Sequence, residues 1–403
     1  VILDVVFNHT ARVHLFEDLQ PNYYHFMKFD GSAKTSFGGG RLATTHAMTR
    51  KLMLDSILYW VDEFKVDGFR FDMMGDHDAE SIEIAYQKAE ELNPNIIMIG
   101  EGWRTYEGDD LDPDVKPADQ DWMQQTVTVG SFSDDFRNMI KSGFGAETEP
   151  RFITGGPINI ERIMDNIKAQ PQNFEADDPG DVVTYIESHD NMTVHDVIAV
   201  ATRSDPDFEE EEIQKRLRLG NLMVLTSQGK IFLHSGQEYG KTKQFRTEAE
   251  QEPPASFVGA DEEGQDFKYP YFIDDSYDST DAVNMFEWQK LYNDGLHSQT
   301  VEYTRGLIEL RQSTEAFRLG SLDEIENRVT KVESESIAEK DLAVAYKIKA
   351  TDTEYYIFVN ADQKARNFKI DNDLRQGEVI VDANQAGTSI ISDPEGVAVD
   401  FNN

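Results

Sequence analysis

Three carboxylates in this chain each lie at or just beyond the end of a short apolar run that has the composition of a β-strand. They are Asp72, Glu101 and Asp190. A pair of carboxyl groups can cleave a glycosidic bond when one attacks the sugar carbon and the other protonates the leaving oxygen. The residue types and their repeated placement therefore predict a glycoside hydrolase.

The surroundings of two of these carboxylates suggest separate roles. Arg70 precedes Asp72 by two residues on a strand, so both side chains point to one side, and the guanidinium favours the ionised form that a nucleophile needs. Glu101 lies between two glycines and before Trp103, and a partly apolar pocket would raise its pKa and let it donate a proton. Asp190 is suited to gripping sugar hydroxyls. We expect a retaining mechanism.

A fourth segment, at 1–9, has the same strand-like composition and carries further polar groups. His9 there, and His189 beside the third carboxylate, can donate hydrogen bonds to sugar hydroxyls, and the flat face of Trp103 can stack on a ring. Taken singly, an Asp at a strand end is more often a turn residue and a lone His is more often structural. The set is more specific, because four strand ends present compatible groups.

The elements that must position these groups alternate along most of the chain. Apolar residues at helical spacing predict helices at 45–64, 79–92 and 205–225, and a further helix around Leu307. Asp78 is a suitable N-cap for the second of them. Strands are expected at 1–7, 66–71, 97–100, 126–130, 182–186 and 230–234. Functional groups at the carboxyl ends of alternating strands favour a (β/α)8 TIM barrel. A doubly wound sheet is the alternative, but no Gly-x-Gly-x-x-Gly turn supports a dinucleotide site.

After about residue 319 the pattern changes to short strands that are separated by polar turns. The strands are expected at 342–348, 355–359 and 379–381, with no helix signal between them. This pattern is typical of a small antiparallel β-sandwich domain. We therefore expect a catalytic barrel at 1–320 and a C-terminal β-sandwich domain at 321–403.

Composition excludes several classes of function. The formal net charge of −38 over 403 residues repels phosphate backbones, which makes nucleic acid an improbable partner. The chain has no cysteine, hence no disulfide and no thiolate site. No apolar run approaches the roughly 18 residues that a membrane-spanning helix needs. The hydrophobic content of 39% is enough for a sizeable core.

The segments at 4–9, 68–72, 100–103 and 188–191 resemble, in order and spacing, the four signature regions of the α-amylase family, glycoside hydrolase family 13. The resemblance implies that Asp72 is the nucleophile, Glu101 the acid/base and Asp190 the stabiliser of the transition state. It implies that the residues binding the sugar at the cleavage point are Arg70, His9 and His189, and that Asp4 and Asn8 support the site. No cofactor is required for this chemistry.

Within the family, the chain is similar to type I pullulanases of the streptococcal and lactobacillal kind, which cut α-1,6 branch linkages. The similarity rests on Trp103, on 189–196, on 232–238, on 275–284 and on the Gly-rich stretch at 37–41. It implies an α-glucan substrate: pullulan, amylopectin, glycogen or limit dextrins. Two alternatives stay open, an α-1,4-acting or dual-acting amylase or amylopullulanase, and a non-catalytic carbohydrate-binding relative.

The chain also departs from the family pattern. Its first segment resembles the third barrel strand, so we expect that the first two strands, a Tyr-rich motif and upstream binding domains are missing. At the other end, 397–403 stops before the last strand of the family's end domain. We expect a fragment that is aggregation-prone and poorly active alone. An extracellular or cell-wall-attached location is favoured over the cytoplasm, and the oligomeric state is left open. Structural Ca²⁺ is expected, if anywhere, in the acidic loops at 107–121 and 261–281.

Overall fold

The structure, a computed structural model, describes residues 1–110, 112, 114–157, 159–246, 253–338, 341–370 and 373–396. The segment 397–403, where an incomplete end domain was expected, lies outside these residues. The chain forms two compact units. The first comprises Val1–Phe132 and Pro171–Val183, and the second Ser133–Gln170 and Thr184–Asn403. The expected domain boundary at residue 320 stays a prediction.

The described residues contain thirteen strands and eleven α-helices. The strands are β1 (Ile2–Val5), β2 (Thr35–Ser36), β3 (Gly39–Gly40), β4 (Gly68–Phe71), β5 (Ile97–Gly100), β6 (Val129–Phe132), β7 (Val182–Thr184), β8 (Lys230–Ile231), β9 (Ser256–Ala260), β10 (Asp266–Ile273), β11 (Val329–Lys331), β12 (Ala343–Lys349) and β13 (Glu354–Asn360). The helices are α1 (His14–Glu17), α2 (Ala47–Phe64), α3 (Ala79–Leu92), α4 (Asp134–Ile140), α5 (Ile160–Ile167), α6 (Val194–Thr202), α7 (Pro206–Thr226), α8 (Asp281–Asn284), α9 (Trp288–Tyr292), α10 (Leu296–Ser313) and α11 (Leu322–Arg328).

The first unit is built on a parallel sheet with the strand order β1, β4, β5, β6, β7. Helices α2 and α3 provide the crossovers from β1 to β4 and from β4 to β5, as parallel neighbours require. The register pairs Asp4 with Arg70 and Arg70 with Ile99. Alternating strands and helices confirm the predicted α/β class, whereas the closed barrel stays a prediction.

Two helices of the first unit match their sequence signals. Helix α2 buries Met53, Ile57 and Val61, the spacing that predicted it. Helix α3 begins directly after Asp78, whose side chain accepts a hydrogen bond from the Ser81 amide at 2.9 Å. This contact satisfies one of the amides left unpaired at a helix start, so the predicted N-cap is confirmed.

Some boundaries differ from the expectations. The strand expected at 126–130 is β6, at Val129–Phe132, and the Thr126 and Thr128 hydroxyls bond each other at 2.9 Å just before it. Strand β8 is only two residues long. The segment 379–381 forms no strand but a single bridge from Val381 to Ala386.

Several elements were missed, and helix α11 and strand β10 are two of them. Helix α11 follows residue 319, where no helix was expected, and the Ser321 hydroxyl caps it by accepting from the Glu324 amide at 3.3 Å. The loop expected at 261–281 contains strand β10, which pairs antiparallel with β9. Both are short or edge elements whose local signals are weak, and their partners are set by tertiary packing.

The second unit has one apolar cluster that runs from Phe136 to Ala361 and includes residues of α7, α10 and β12. Strands β11, β12 and β13 form an antiparallel sheet, so the predicted change to antiparallel strands is confirmed, while the complete sandwich stays a prediction. The Tyr346 hydroxyl of β12 bonds the Thr226 hydroxyl of α7 at 2.6 Å. Among the described residues, no helix combines the length and apolar character needed to span a membrane.

Candidate active site

Arg70 is the centre of a cluster of carboxylates at the carboxyl end of the first unit's sheet. Its Nη1 donates to Asp4 Oδ1 at 2.9 Å and to Asp72 Oδ1 at 3.1 Å. Its Nη2 lies 2.6 Å from Glu101 Oε1. The register of β1, β4 and β5 brings these side chains together, since each strand ends at the same edge of the sheet.

The electrostatics of this cluster are dominated by one buried cation among three acids. The Arg70 side chain is only 10% exposed. Burial lowers the pKa of the guanidinium, but the charges of Glu101, Asp4 and Asp72 outweigh burial and raise it. Arg70 is therefore a permanent positive charge that keeps the carboxylates in place.

Glu101 is held from two directions. Besides Arg70, the Met73 backbone amide donates to Glu101 Oε2 at 2.9 Å. Met73 itself has a left-handed backbone, with φ of 41°. Both contacts stabilise a carboxylate, whereas an acid catalyst must hold a proton. The acid/base role of Glu101 thus stays a prediction, and it requires proton uptake to compete with the contact to Arg70.

Three more predicted residues lie in the first unit. Asn8 is buried and its Nδ2 lies 3.0 Å from His9 Nδ1, while its Oδ1 is buried without a hydrogen-bond partner among the described residues. The His9 ring is half-buried and contacts Phe37, with centroids 5.6 Å apart. Trp103 is also half-buried, so part of its surface is accessible, as stacking on a sugar requires.

The remaining predicted residues lie in the second unit. His189 Nε2 is 3.4 Å from Asp190 Oδ1, and both side chains are more than half exposed. They belong to the loop between β7 and α6, in which Asn191 has a left-handed φ of 62°. Asn tolerates this conformation better than most residues. The structure thus brings together Asp4, Arg70, Asp72 and Glu101 in one unit, and His189 with Asp190 in the other.

A pair formed by buried Glu187 and half-buried His234 at the base of this loop was missed by the sequence reasoning. Glu187 Oε1 lies 2.7 Å from His234 Nδ1, and Glu187 Oε2 accepts from the Val194 amide at 2.6 Å. Glu187 is fully buried, so it fixes the loop from inside rather than facing a ligand. The position of Glu187 just after a strand could have indicated a structural role, but the neighbouring His189 and Asp190 are the residues that the sequence reasoning selected.

The acidic loops at 107–121 and 261–281 are where structural Ca²⁺ was expected. No group of three or more His, Asp or Glu side chains is placed to hold a metal ion anywhere in the described part of the chain. In the loop 107–121, of which 111 and 113 lie outside the described residues, Asp109 pairs with His46 at 2.7 Å and Asp110 with Lys34 at 2.7 Å. Nothing in these contacts fits a bound ion, and calcium stays a prediction.

Comparison with known proteins gives a consistent result. A family model described as SpuA C-terminal matches residues 328–403. The chain is 55% identical to pullulanase A of Streptococcus pneumoniae (serotype 2, strain D39) over 98% of its length, which is 33% of that protein. It is 29% identical to the pullulanase of Bacillus subtilis over 93% of its length, 48% of that protein.

Solved structures agree with these matches. The catalytic module of the pneumococcal glycogen-degrading virulence factor SpuA, in complex with an inhibitor, is 55% identical with a TM-score of 0.96, over 99% of this chain and 59% of that one. The group B Streptococcus pullulanase SAP in complex with maltotetraose is 56% identical with a TM-score of 0.94, over 99% and 53%. The chain therefore spans about a third of the curated pullulanase A and just over half of these solved chains.

Proposed function

Because the chain belongs to the α-amylase family, glycoside hydrolase family 13, together with the streptococcal pullulanases, we propose that it is part of a retaining hydrolase that cleaves α-1,6 branch linkages in α-glucans. Pullulan, starch and glycogen are the substrate class. The observation that carries the proposal is the cluster in which Arg70 binds Asp72 and Glu101 at once. The same membership supports a (β/α)8 barrel for β1 and β4–β7.

The cluster suits a two-step displacement. Asp72 and Glu101 contact the two terminal nitrogens of a single guanidinium, so they stand close together. Retaining enzymes hold their two carboxyl groups about 5–5.5 Å apart, whereas inverting enzymes leave room for a water between more distant groups. Their attachment to one planar cation favours the retaining geometry.

In the first step Asp72 attacks the anomeric carbon and forms a glycosyl ester, while Glu101 gives its proton to the departing glycosidic oxygen. In the second step Glu101 takes a proton from water, the water attacks the same carbon and Asp72 leaves as a carboxylate. Arg70 binds Asp72 before the first attack and again when Asp72 departs as a carboxylate, so the guanidinium stabilises the leaving group. The family resemblance assigns Asp190 to holding the distorted sugar.

The test is Asp72→Asn in the full-length protein, with pullulan as substrate. Loss of the nucleophile should abolish turnover and leave glucan binding, because the amide keeps the shape but cannot form the ester. Asp55→Asn is the matched control, since Asp55 is an exposed residue of α2 that forms an ion pair with Lys51 one turn earlier in the same helix. It should release maltotriose at the normal rate.

Two results would contradict the proposal. Turnover by Asp72→Asn would refute the nucleophile. Panose or isopanose as the product, in place of maltotriose, would refute α-1,6 specificity and support the α-1,4-acting alternative.

A further inference from the structure

We propose that Lys243 is a positioning residue for the reaction: its buried ammonium group fixes the backbone of the loop that carries Asp190. The inference rests on the proposed function, because it acts through the role assigned to Asp190. Lys243 itself does not touch the substrate, since its side chain is fully buried in the second unit.

The ammonium group makes contacts on both sides of Asp190. Lys243 Nζ donates to the carbonyl of His189 at 2.9 Å and to the carbonyl of Asn191 at 2.8 Å, the two residues that flank Asp190. It donates a third bond to the Asp274 carbonyl at 3.2 Å. An ammonium group has three protons, so all are used, and two of them hold the loop.

The loop depends on this support because Asn191 has an unfavourable left-handed backbone and the exposed Asp190 side chain has few contacts that would hold it in place. Asn191 is held with φ at 62°, and the Asp190 side chain, 55% exposed, contacts His189 but points largely into solvent. The carboxylate position is therefore set mainly by the backbone that carries it. A buried cation bonded to the two flanking carbonyls fixes that backbone against rotation.

Lys243 is itself anchored, which makes the arrangement rigid. Its backbone amide donates to Asp196 Oδ2 at 2.7 Å, and the Thr242 hydroxyl donates to Asp196 Oδ1 at 2.5 Å. Asp274 reinforces the loop from the other side, since its Oδ1 accepts from the Met192 amide at 2.9 Å. Helix α6, which contains Asp196, thus fixes Lys243, and Lys243 fixes the loop.

Burying a lysine ammonium group costs solvation free energy, so the burial of Lys243 argues that the group has a specific role. Burial lowers the pKa of Lys243, against the opposing charges of Asp196, Glu187, Asp274 and Asp190. The presence of Asp190 among these charges places the ammonium group within electrostatic reach of the carboxylate it positions. A neutral side chain of the same length would remove both the carbonyl contacts and this charge.

The test compares Lys243→Met, Asp190→Asn and the double variant in the full-length protein. Displacing a catalytic group by about 1 Å costs on the order of 100-fold in rate, so Lys243→Met should lower kcat about 100-fold and leave KM nearly unchanged. In the Asp190→Asn background the same change should have little further effect, because the group that it positions is gone. Lys243→Arg, which can still donate to carbonyls, should recover part of the rate.

Arg311→Met is the matched control. Arg311 is also buried, and it donates to the carbonyls of Leu225, Ser227 and Gly229 at 3.0, 2.7 and 3.1 Å. Its loss should lower the melting temperature and leave kcat of the folded fraction unchanged. If Lys243→Met does not fold, Lys243→Arg carries the same comparison.

The outcomes separate the two proposals. The positioning role is refuted if Lys243→Met lowers only the melting temperature, as expected for Arg311→Met. It is also refuted if Lys243→Met lowers kcat by the same factor in the Asp190→Asn background as in the wild-type protein. Full activity in Asp190→Asn would instead refute the role assigned to Asp190.

Discussion

The charge on His195 should set part of the pH dependence of stability in the second unit. His195 is buried, its Nδ1 lies 3.0 Å from Asp196 Oδ1, and its Nε2 lies 3.0 Å from Glu210 Oε2. The contact with Glu210 therefore links α6 to α7, while the contact with Asp196 lies within α6. His297 Nε2, 3.7 Å from Glu210 Oε1, and Gln214, which donates to Glu210 at 2.7 Å, complete the surroundings.

The magnitude follows from the protonation equilibrium. Burial lowers the pKa of His195, but the charges and hydrogen bonds of Glu210 and Asp196 outweigh burial and raise it from 6.5 to about 9. A raised pKa in the folded state means that the stabilisation is complete below pH 6.5 and is lost as the pH rises through about 9. The difference between the pKa of His195 in the unfolded and the folded state corresponds to about 3 kcal/mol of unfolding free energy.

The assay is urea unfolding of the full-length protein and of His195→Gln near pH 6 and near pH 10, followed by a probe in α6 or α7. Glutamine keeps a polar side chain of similar reach but cannot take the charge. The free-energy gap between the two proteins should shrink by about 3 kcal/mol from the lower to the higher pH. His14→Gln, at an exposed position in α1, is the control and should show no such change. An equal gap at both pH values would mean that the fold does not raise the pKa of His195, which would refute the reasoning.

Two further predictions concern the first unit. Arg70→Met leaves Asp4, Asp72 and Glu101 without their shared cation, so it should destabilise the protein by about 3–5 kcal/mol and remove activity. Arg70→Lys should recover little, because one ammonium group cannot replace the two terminal nitrogens of the guanidinium. Wild-type kcat and melting temperature in Arg70→Lys would contradict this. Gly75→Ala would place a Cβ 1.7 Å from the Trp103 carbonyl oxygen and should cost about 1–3 kcal/mol in thermal or urea unfolding, whereas Gly387→Ala, with open space around it, should be neutral. Equal stability of the two glycine variants would contradict the clash.

The sequence predicted the features that depend on neighbouring residues. The spacing of Met53, Ile57 and Val61 and the cap at Asp78 are local signals, and they placed α2 and α3 correctly. The contact of Arg70 with Glu101 could not be predicted, since it depends on the register of β4 against β5, which is set by tertiary packing.

The contacts of Lys243 with the Asp190 loop could not be predicted either, because they also depend on tertiary packing. Lys243 is 54 residues from His189 and lies in a segment without periodicity. Lysine at such a position is normally a solvated surface residue, so its type gave no indication of burial. Only the folded chain shows that its three protons are used on backbone carbonyls.

The two units organise their carboxylates by different physical means. In the first unit Arg70 binds the carboxylates directly, so replacing it changes both their charge balance and their position. In the second unit Lys243 bonds to backbone carbonyls, so replacing it moves Asp190 without removing a direct partner of the carboxylate, which stays exposed to solvent. A nucleophile acts as a carboxylate, which a direct cation contact favours, whereas Glu101 as the proposed proton donor must take up its proton against that contact. A group that grips hydroxyls needs fixed geometry above all, and a buried cation bonded to the backbone provides that without screening the carboxylate from its ligand.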